Sequence, residues 1–245
     1  MLYVIGTPIG NLRDITLRAL EALKSADVIA AEDTRHSGIL LKHYEIKKPL
    51  ISYHEHNEAM RTAQLVERIA AGENIALITD AGTPGISDPG ARLIRECIKR
   101  QLPLTIIPGP SSILTALVGS GFEAGKFFFG GFLPVKSGRR GRELAAAAEL
   151  DETTIFFESP HRLTKTLSAC IDIMPDRQLC VARELTKKFE EFRRGTAAEL
   201  LAHYQAHRPK GEIVLVIAGR DDSKRGGLKT VRQNNKGALE SASPC

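Results

Sequence analysis

Residues 75–90 read I-A-L-I-T-D-A-G-T-P-G-I-S-D-P-G, and they constrain the fold more than any other stretch of the chain. The apolar run at residues 75–79 is rich in strand-forming side chains, so it predicts a buried strand. Gly82 and Gly85 then predict a turn, after which Asp88 is expected to cap a helix. A strand that leads through a glycine-rich loop into a helix is where open α/β sheets bind ligands. The alternative is an ordinary tight turn without a ligand.

The same alternation of strand, loop and helix recurs through the first half of the chain. Further strands are predicted at residues 2–6, 28–31 and 104–107, and each runs into a polar or glycine-rich loop. This order is typical of a parallel sheet with helices packed on it. Because the carboxyl ends of parallel strands meet at one edge, we expect the loops at residues 6–10, 80–87 and 108–112 to meet.

The second half of the chain alternates differently. Its strand-like segments are spaced as in hairpins, which predicts a mixed sheet. We therefore expect an α/β protein with two domains, at residues 1–121 and 122–220. Residues 221–245 are polar and have almost no large apolar side chains, so they predict a flexible tail.

Composition narrows the class of protein. The chain of 245 residues is 42% hydrophobic, which is enough for a core, and no apolar run approaches the length of a membrane span. Its four cysteines form no C-x-x-C pair, so we expect them to be reduced and structural, in a cytoplasmic protein. The net charge of +5 favours a polyanionic partner, although many basic enzymes never bind nucleic acid.

Ionisable side chains gather near the ends of two predicted strands. Glu32, Asp33 and Arg35 follow the strand at residues 28–31, where helix capping with a surface ion pair is the alternative to a functional role. His54 and His56 alternate, so a strand would place both on one face. No third ligand stands at a recognisable spacing, so contact with substrate is favoured over metal binding.

A cluster of cations opens the second half of the chain. The cluster is expected to form a basic loop that holds phosphates, with the solvated start of a helix as the alternative. Its members are Lys136, Arg139, Arg140 and Arg142. No G-x-x-x-x-G-K-[ST] motif is present, which argues against a nucleoside-triphosphate site.

Six separated motifs, taken in order, resemble the ribosomal RNA small-subunit methyltransferase I family of the tetrapyrrole-methylase superfamily. They are L-Y-V-I-G-T-P-I-G-N-L-R-D-I-T, A-E-D-T-R, S-Y-H-E-H-N-E, T-D-A-G-T-P-G-I-S-D-P-G, I-P-G-P-S-S and F-F-E-S-P-H-R. The resemblance spans residues 1 to about 219. It implies two α/β domains with S-adenosylmethionine in the cleft between them. It further implies 2′-O-methylation of a cytidine ribose in 16S ribosomal RNA at the decoding centre, by a homodimer.

The resemblance also implies which positions serve the site. Those expected to contact or enclose the methyl donor are Pro8, Asp80, Ala81, Gly82, Thr83, Ile86, Ser111, Ser112, Glu158, Leu185, Gly211 and Glu212. Arg35 joins the four cations as an expected RNA contact. A base should assist as the hydroxyl loses its proton, and Glu32 and Asp33 are ranked first, His54 next. Asp80 is expected to orient its loop, and no metal is required.

Two features depart from the family pattern. The loop at residues 81–86 reads A-G-T-P-G-I where the superfamily commonly has a G-D-P type, a variation that fits the ribosomal branch. Many members of the family continue past the last strand into a further helical segment, where this chain has the polar residues 221–245. RNA contacts of such a segment are therefore not carried over.

Two other functions compete with this interpretation. A methyltransferase acting on a small tetrapyrrole would share the donor site, but the A-E-D-T-R and Y-H-E-H-N-E motifs and the basic cluster favour the RNA branch. A non-catalytic RNA-binding module is the second alternative. Its expected aromatic stacking platform is absent from the most distinctive motifs, which surround a small-molecule cleft.

Overall fold

The computed structural model describes residues 1–220, and a five-stranded sheet occupies each half of that range. The first sheet has the order β3-β2-β4-β1-β5, and all of its strand pairs are parallel. Its strands are β1 (Leu2–Ile5), β2 (Val28–Ala31), β3 (Leu50–Ser52), β4 (Ile75–Ile78) and β5 (Leu104–Ile107). The predicted parallel sheet is thus confirmed.

Helices cover both faces of the first sheet, which explains why β2 and β4 are buried along their whole length. On one face lie α1 (Leu17–Ser25) and α2 (Thr34–His43), preceded by a short 3₁₀ helix at Leu12–Asp14. On the other face lie α3 (Glu58–Ala70) and α4 (Ala91–Lys99).

Two local expectations in this half were wrong. The helix after β4 begins at Ala91 with Gly90 as its N-cap, at φ 134°, and Asp88 makes no cap. Residues 86–90 form an additional turn, closed by a hydrogen bond from the Gly85 N–H to the Pro89 carbonyl at 3.2 Å, so the helix starts later. Strand β3 ends at Ser52, and His54 and His56 stand in the turn that leads into α3.

The second sheet is mixed, as predicted. Its order is β6-β7-β10-β8-β9, where β6 and β7 are parallel and the other neighbours antiparallel. The strands are β6 (Phe127–Phe132), β7 (Thr153–Glu158), β8 (Gln178–Arg183), β9 (Glu191–Thr196) and β10 (Ile213–Ile217). One face is covered by α6 (Ser137–Ala148), α7 (Leu163–Ile173) and α8 (Ala197–Ala206), which share a core with the strands.

The other face of the second sheet is covered by α5 (Ser112–Ser120), which follows β5 of the first sheet. Ala116 and Leu117 of α5 pack in one core cluster with Ile155, Cys180 and Val216 of the second sheet. The body of α5 therefore belongs by packing to the second sheet, although it precedes residue 121. The division at residues 121 and 122 stays a prediction.

Three cysteines are free and buried, in agreement with a structural role: Cys97, Cys170 and Cys180. Burial raises the pKa of the Cys170 and Cys180 thiols to about 12. Cys245 and the predicted flexible tail lie outside the described residues. Within residues 1–220, no helix is long and apolar enough to cross a membrane.

Candidate active site

A cleft of about 610 Å³ separates the two sheets. Its lining is largely apolar, with rings and aliphatic side chains from β6, β7, β10 and the start of α5. The lining residues that carry the argument are Ile9, Ala81, Gly82, Thr83, Ile86, Ser87, Asp88, Ser111, Ser112, Phe127, Phe129, Phe132, Phe157, Glu158, Leu185, Gly211 and Glu212. A largely apolar cleft with a few polar groups is the usual form of a small-molecule site.

Three loops of the first sheet meet at this cleft, as their positions after β1, β4 and β5 predict. The Thr7 N–H donates to the Gly82 carbonyl at 2.8 Å, and the Gly82 N–H donates back to Thr7 at 3.2 Å. Gly6 and Gly109 bring the first and third loops together, since a Cβ on Gly6 would lie 2.8 Å from the Gly109 Cα. Only glycine permits that backbone approach.

The second sheet contributes the opposite wall through the loop after β8 and the turn before β10. Leu185 is buried between Glu184 and Thr186, which have φ angles of 51° and 62°. The Lys187 ammonium bridges the Glu184 carboxylate at 3.0 Å and the Glu212 carboxylate at 2.8 Å. Non-glycine residues with such φ angles are costly, so this ion pair helps to hold a strained loop at the cleft.

Ten of the twelve residues expected at the donor site line this cleft, and Pro8 and Asp80 are the two that do not. Pro8 is buried, and its neighbour Ile9 lines the cleft. Glu158 contributes to the wall, but its carboxylate is fully buried and pairs with Arg162 at 2.8 Å. The same carboxylate accepts hydrogen bonds from Thr166 Oγ1 at 2.5 Å and the Ser159 N–H at 2.7 Å, so it has little capacity left for a ligand.

The carboxylates of Glu32, Asp80 and Asp88 lie together where β2, β4 and the turn at residues 86–90 meet. Burial, then the charge of Asp80, raises the pKa of Glu32 above its usual range. Burial, then the charges of Glu32 and Asp80, raises the pKa of Asp88 to about 6. Asp80 accepts a hydrogen bond from the Asp33 N–H at 3.2 Å, so its carboxylate joins the segment after β4 to the segment after β2. The cluster thus contains two carboxyl groups with raised proton affinity beside the cleft.

Asp33 and Arg35 are engaged with each other. Asp33 caps α2 through a hydrogen bond from the Arg35 N–H at 2.8 Å, and the two side chains form an ion pair at 2.9 Å. These bonds from Arg35 lower the pKa of Asp33 to about 2, which makes this carboxylate a weak base. The Arg35 side chain is nevertheless 90% exposed.

His54 is held by Asn57, whose Nδ2 lies 3.2 Å from His54 Nε2. The other ring nitrogen, Nδ1, is buried and has no hydrogen-bond partner within residues 1–220. The His56 ring lies 5.8 Å from that of His54. In the described part of the chain no three His, Cys, Asp or Glu side chains are grouped to hold a metal ion.

The residues expected to form a basic loop instead form the N-cap and the first half of α6, which is the alternative of a helix start. Lys136, Arg139 and Arg142, hereafter the α6 cations, are exposed and make no ion pair within the described range. The expectation for Arg140 was wrong, because this side chain is 7% exposed and donates to the Val135 carbonyl at 3.3 Å. Arg140 stands four residues before Leu144 on the buried face of the helix, so it is not available to a phosphate.

Several lining residues were missed from the sequence. Asp88 was assigned to a helix cap, and the phenylalanines of β6 were given no role in the site. A register shift between Phe129 and Phe132, where Gly131 has a φ of 68°, places both rings in the cleft despite their odd spacing. The aromatic run itself was the available signal.

Comparison with known proteins agrees with this geometry. The family model described as Tetrapyrrole (Corrin/Porphyrin) Methylases matches residues 1–201. Proteins named ribosomal RNA small subunit methyltransferase I are 47% identical in Synechocystis sp. over 92% of this chain and 81% of the relative. In Thermotoga maritima such a protein is 44% identical over 90% of this chain and 99% of the relative. In Mesorhizobium japonicum the identity is 49%, over 88% of this chain and 74% of the relative.

Solved structures show the same fold at low identity. Uroporphyrin-III-C-methyltransferase from Thermus thermophilus aligns with a TM-score of 0.63 and 20% identity, covering 89% of this chain and 93% of that one. Diphthine synthase aligns with a TM-score of 0.67 and 15% identity, covering 91% of this chain and 93% of that one. The chain therefore belongs to the tetrapyrrole methylase family, within its ribosomal RNA small subunit methyltransferase I branch.

Proposed function

We propose that this protein transfers a methyl group from S-adenosylmethionine to the ribose 2′-hydroxyl of a cytidine in 16S ribosomal RNA, at the decoding centre. The observation that carries the proposal is the cleft between the sheets, where the three glycine-containing loops of the first sheet face the strained wall of the second. The names of the relatives at 44–49% identity support the ribosomal substrate.

The residues of the cleft fit the chemistry of this donor. It is a zwitterion with a sulfonium and an adenosine, so it needs backbone polar groups and flat apolar walls rather than a phosphate cradle. Gly82 offers open backbone, since the nearest atom that a Cβ built there would meet within residues 1–220, apart from its chain neighbours, is Ile9 Cγ2 at 3.9 Å. The rings of Phe129, Phe132 and Phe157 supply apolar surface. When bound, the donor supplies a methyl group already activated by positive sulfur.

The contribution of the protein to the reaction is positioning and proton removal. A ribose hydroxyl is a very weak acid, so a carboxylate of raised pKa at the cleft is the suitable acceptor. Glu32 meets that requirement better than Asp33, whose carboxylate is held by Arg35. Asp88 joins Glu32 as a candidate because it lines the cleft directly. His54 stays a candidate through the unpartnered Nδ1 within the described residues.

The α6 cations and Arg35 are proposed to contact RNA phosphates. They are exposed, and cations at such positions attract RNA without reading its sequence. The substrate is naked 16S RNA or the assembled small subunit, and the protein acts as a homodimer in this proposal. Sedimentation of the purified protein tests the dimer.

The competing function is methylation of a small tetrapyrrole, which would use the same donor cleft. The structural neighbour with a tetrapyrrole name shares only 20% identity with this chain, so it supports the fold alone. The decisive experiment is nucleoside analysis of small-subunit RNA from cells with and without this protein, repeated with a variant carrying Gly82→Val. We expect one 2′-O-methylcytidine to be lost both in cells that lack the protein and in cells that carry the Gly82→Val variant. Unchanged RNA in cells that lack the protein would refute the proposal.

A further inference from the structure

A second concavity, of about 810 Å³, opens beside the donor cleft. It lies between α3 and α4 and is here called the α4 groove. One side is lined by Glu55 and Glu58, and the α4 side is lined by Arg92, Arg95, Glu96 and Lys99. None of these was expected to bind RNA from the sequence.

The cations of the α4 groove stand in one row. Arg92, Arg95 and Lys99 are spaced by three and four residues on α4, so they share one face of the helix. All three are exposed, and none has a hydrogen-bond or ion-pair partner within residues 1–220. At a rise of about 1.5 Å per residue the row is about 10 Å long. That is the axial length of about three phosphates of a stacked strand.

Two of the four carboxylates that line the groove, Glu58 and Glu96, are engaged by other groups, whereas Asp88 at the junction has no hydrogen-bond partner among the described residues. Glu58 accepts hydrogen bonds from the Tyr53 hydroxyl at 3.1 Å and from the Gly90 N–H at 3.2 Å. Glu96 pairs with Arg100 at 3.0 Å. Glu55 lies 3.4 Å from His56 on the opposite wall. The charge left without a partner on the α4 wall is therefore positive, which suits a polyanion.

The groove is continuous with the donor cleft. Ser87 and Asp88 line both, and no other residue in the described range does so. A strand lying along α4 would thus reach the donor at these two residues. The carboxylate cluster that contains Asp88 stands at the same junction.

We propose that the α4 groove binds the phosphates of the RNA strand on one side of the target nucleotide, through Arg92, Arg95 and Lys99. This inference rests on the proposed function, since it concerns how that substrate is held. It assigns a surface in the first half of the chain to RNA, separate from the α6 cations in the second half.

The test uses the full chain with Arg92, Arg95 and Lys99 replaced together by glutamine. Three single-strand phosphate contacts contribute about 2 to the slope of log affinity against log salt. At low salt we expect the variant to bind small-subunit RNA at least about 20-fold more weakly. A fourfold rise in salt should then weaken wild-type binding about 20-fold more than variant binding. Affinity for S-adenosylmethionine should not change.

A matched control replaces Arg18, Lys24 and Lys42 by glutamine. These cations are also exposed and without partners among the described residues, but they lie on α1 and α2, across the first sheet from α4. The control should keep wild-type RNA affinity and salt slope. The single variant Arg95→Gln should show about one third of the change in salt slope that the triple variant shows. Equal thermal midpoints of the wild type and all variants would show that the substitutions leave folding intact.

Each outcome decides between the proposals. Wild-type protein that methylates small-subunit RNA, together with a triple variant of unchanged affinity and slope, overturns the groove and leaves the proposed function standing. Wild-type protein that neither binds nor methylates the RNA overturns both. A variant that binds naked RNA normally but fails on the assembled subunit overturns the RNA assignment, because the groove would then contact ribosomal protein.

Discussion

Asp88→Asn is expected to stabilise the protein at neutral pH while lowering its activity. The pKa of Asp88 is raised from 3.8 to about 6, first by burial and then by Glu32 and Asp80. Folding therefore favours the protonated carboxyl. The stability that the protonated Asp88 carboxyl contributes to the fold is fully present below pH 3.8 and is lost as the pH rises through about 6.

The size of this effect follows from the two pKa values. A difference of about 2 corresponds to about 3 kcal/mol at 1.36 kcal/mol for each pKa unit. Because the carboxyl group is only about half buried, solvent screening reduces this to about 1.5 kcal/mol. No hydrogen bond to the Asp88 side chain is present in the described structure, so the amide should replace the carboxylate without losing one. In a chain of this size, the thermal midpoint at pH 8 should rise by about 3 °C.

The assay is thermal unfolding of wild type and variant between pH 4 and pH 8. The gain of the variant should be largest above pH 6 and should vanish near pH 4. Asp33→Asn is the control, since the lowered pKa of Asp33 stabilises the fold above its unfolded pKa, and the variant should lose stability at pH 8. A midpoint for Asp88→Asn that is lower than wild type at pH 8, or that shows no pH dependence, would refute the argument from burial and neighbouring charge.

Three further predictions concern the donor, the RNA and the base. Gly82→Val should abolish donor binding in calorimetry, because Gly82 lines the cleft. Gly72→Val is the control: Gly72 also has a positive φ and a valine there carries a similar strain of roughly 1–2 kcal/mol, but Gly72 does not line the cleft and donor binding should persist. Equal donor affinities of the two variants would contradict the placement of the donor. Replacing the α6 cations by glutamine should flatten the salt dependence of RNA binding by about 2 with donor affinity unchanged, and an unaltered slope would assign them to solvent. In single-turnover methylation with saturating donor and RNA and with chelator present, Glu32→Gln should slow the rate at least about 100-fold, His54→Ala less and Asp33→Asn least. The wild-type rate should fall as the pH drops through the raised pKa of Glu32, and full activity in all three variants would leave positioning alone as the explanation.

Much of the fold could be predicted from the sequence because its signals are local. The apolar run before Asp80 forms β4, and Asp33 caps the helix that follows it. Each of these signals needs only a few neighbouring residues. The convergence of the three loops also followed, since it depends only on the strands being parallel.

The remaining features depend on contacts between distant parts of the chain. A count of cations does not show which face of α6 turns inward, although the spacing from Arg140 to Leu144 carried that information. The raised pKa of Asp88 depends first on burial and then on the charges of Glu32, which follows a different strand, and Asp80. The cations of the α4 groove alternate with apolar residues in an ordinary amphipathic pattern, so only the cleft beside them distinguishes this helix from others.

The position of α5 determines where this chain can be divided. Gly119 of α5 lies against the Phe192 ring, and Arg194 of β9 hydrogen-bonds to the Gly119 and Ser120 carbonyls. A fragment that begins at residue 122 would leave the apolar face of the second sheet uncovered, and it should aggregate when expressed. A fragment that begins at residue 108 would retain its cover. Circular permutants should therefore be opened, and split versions of the protein cut, within residues 108–111, ahead of α5 rather than after it.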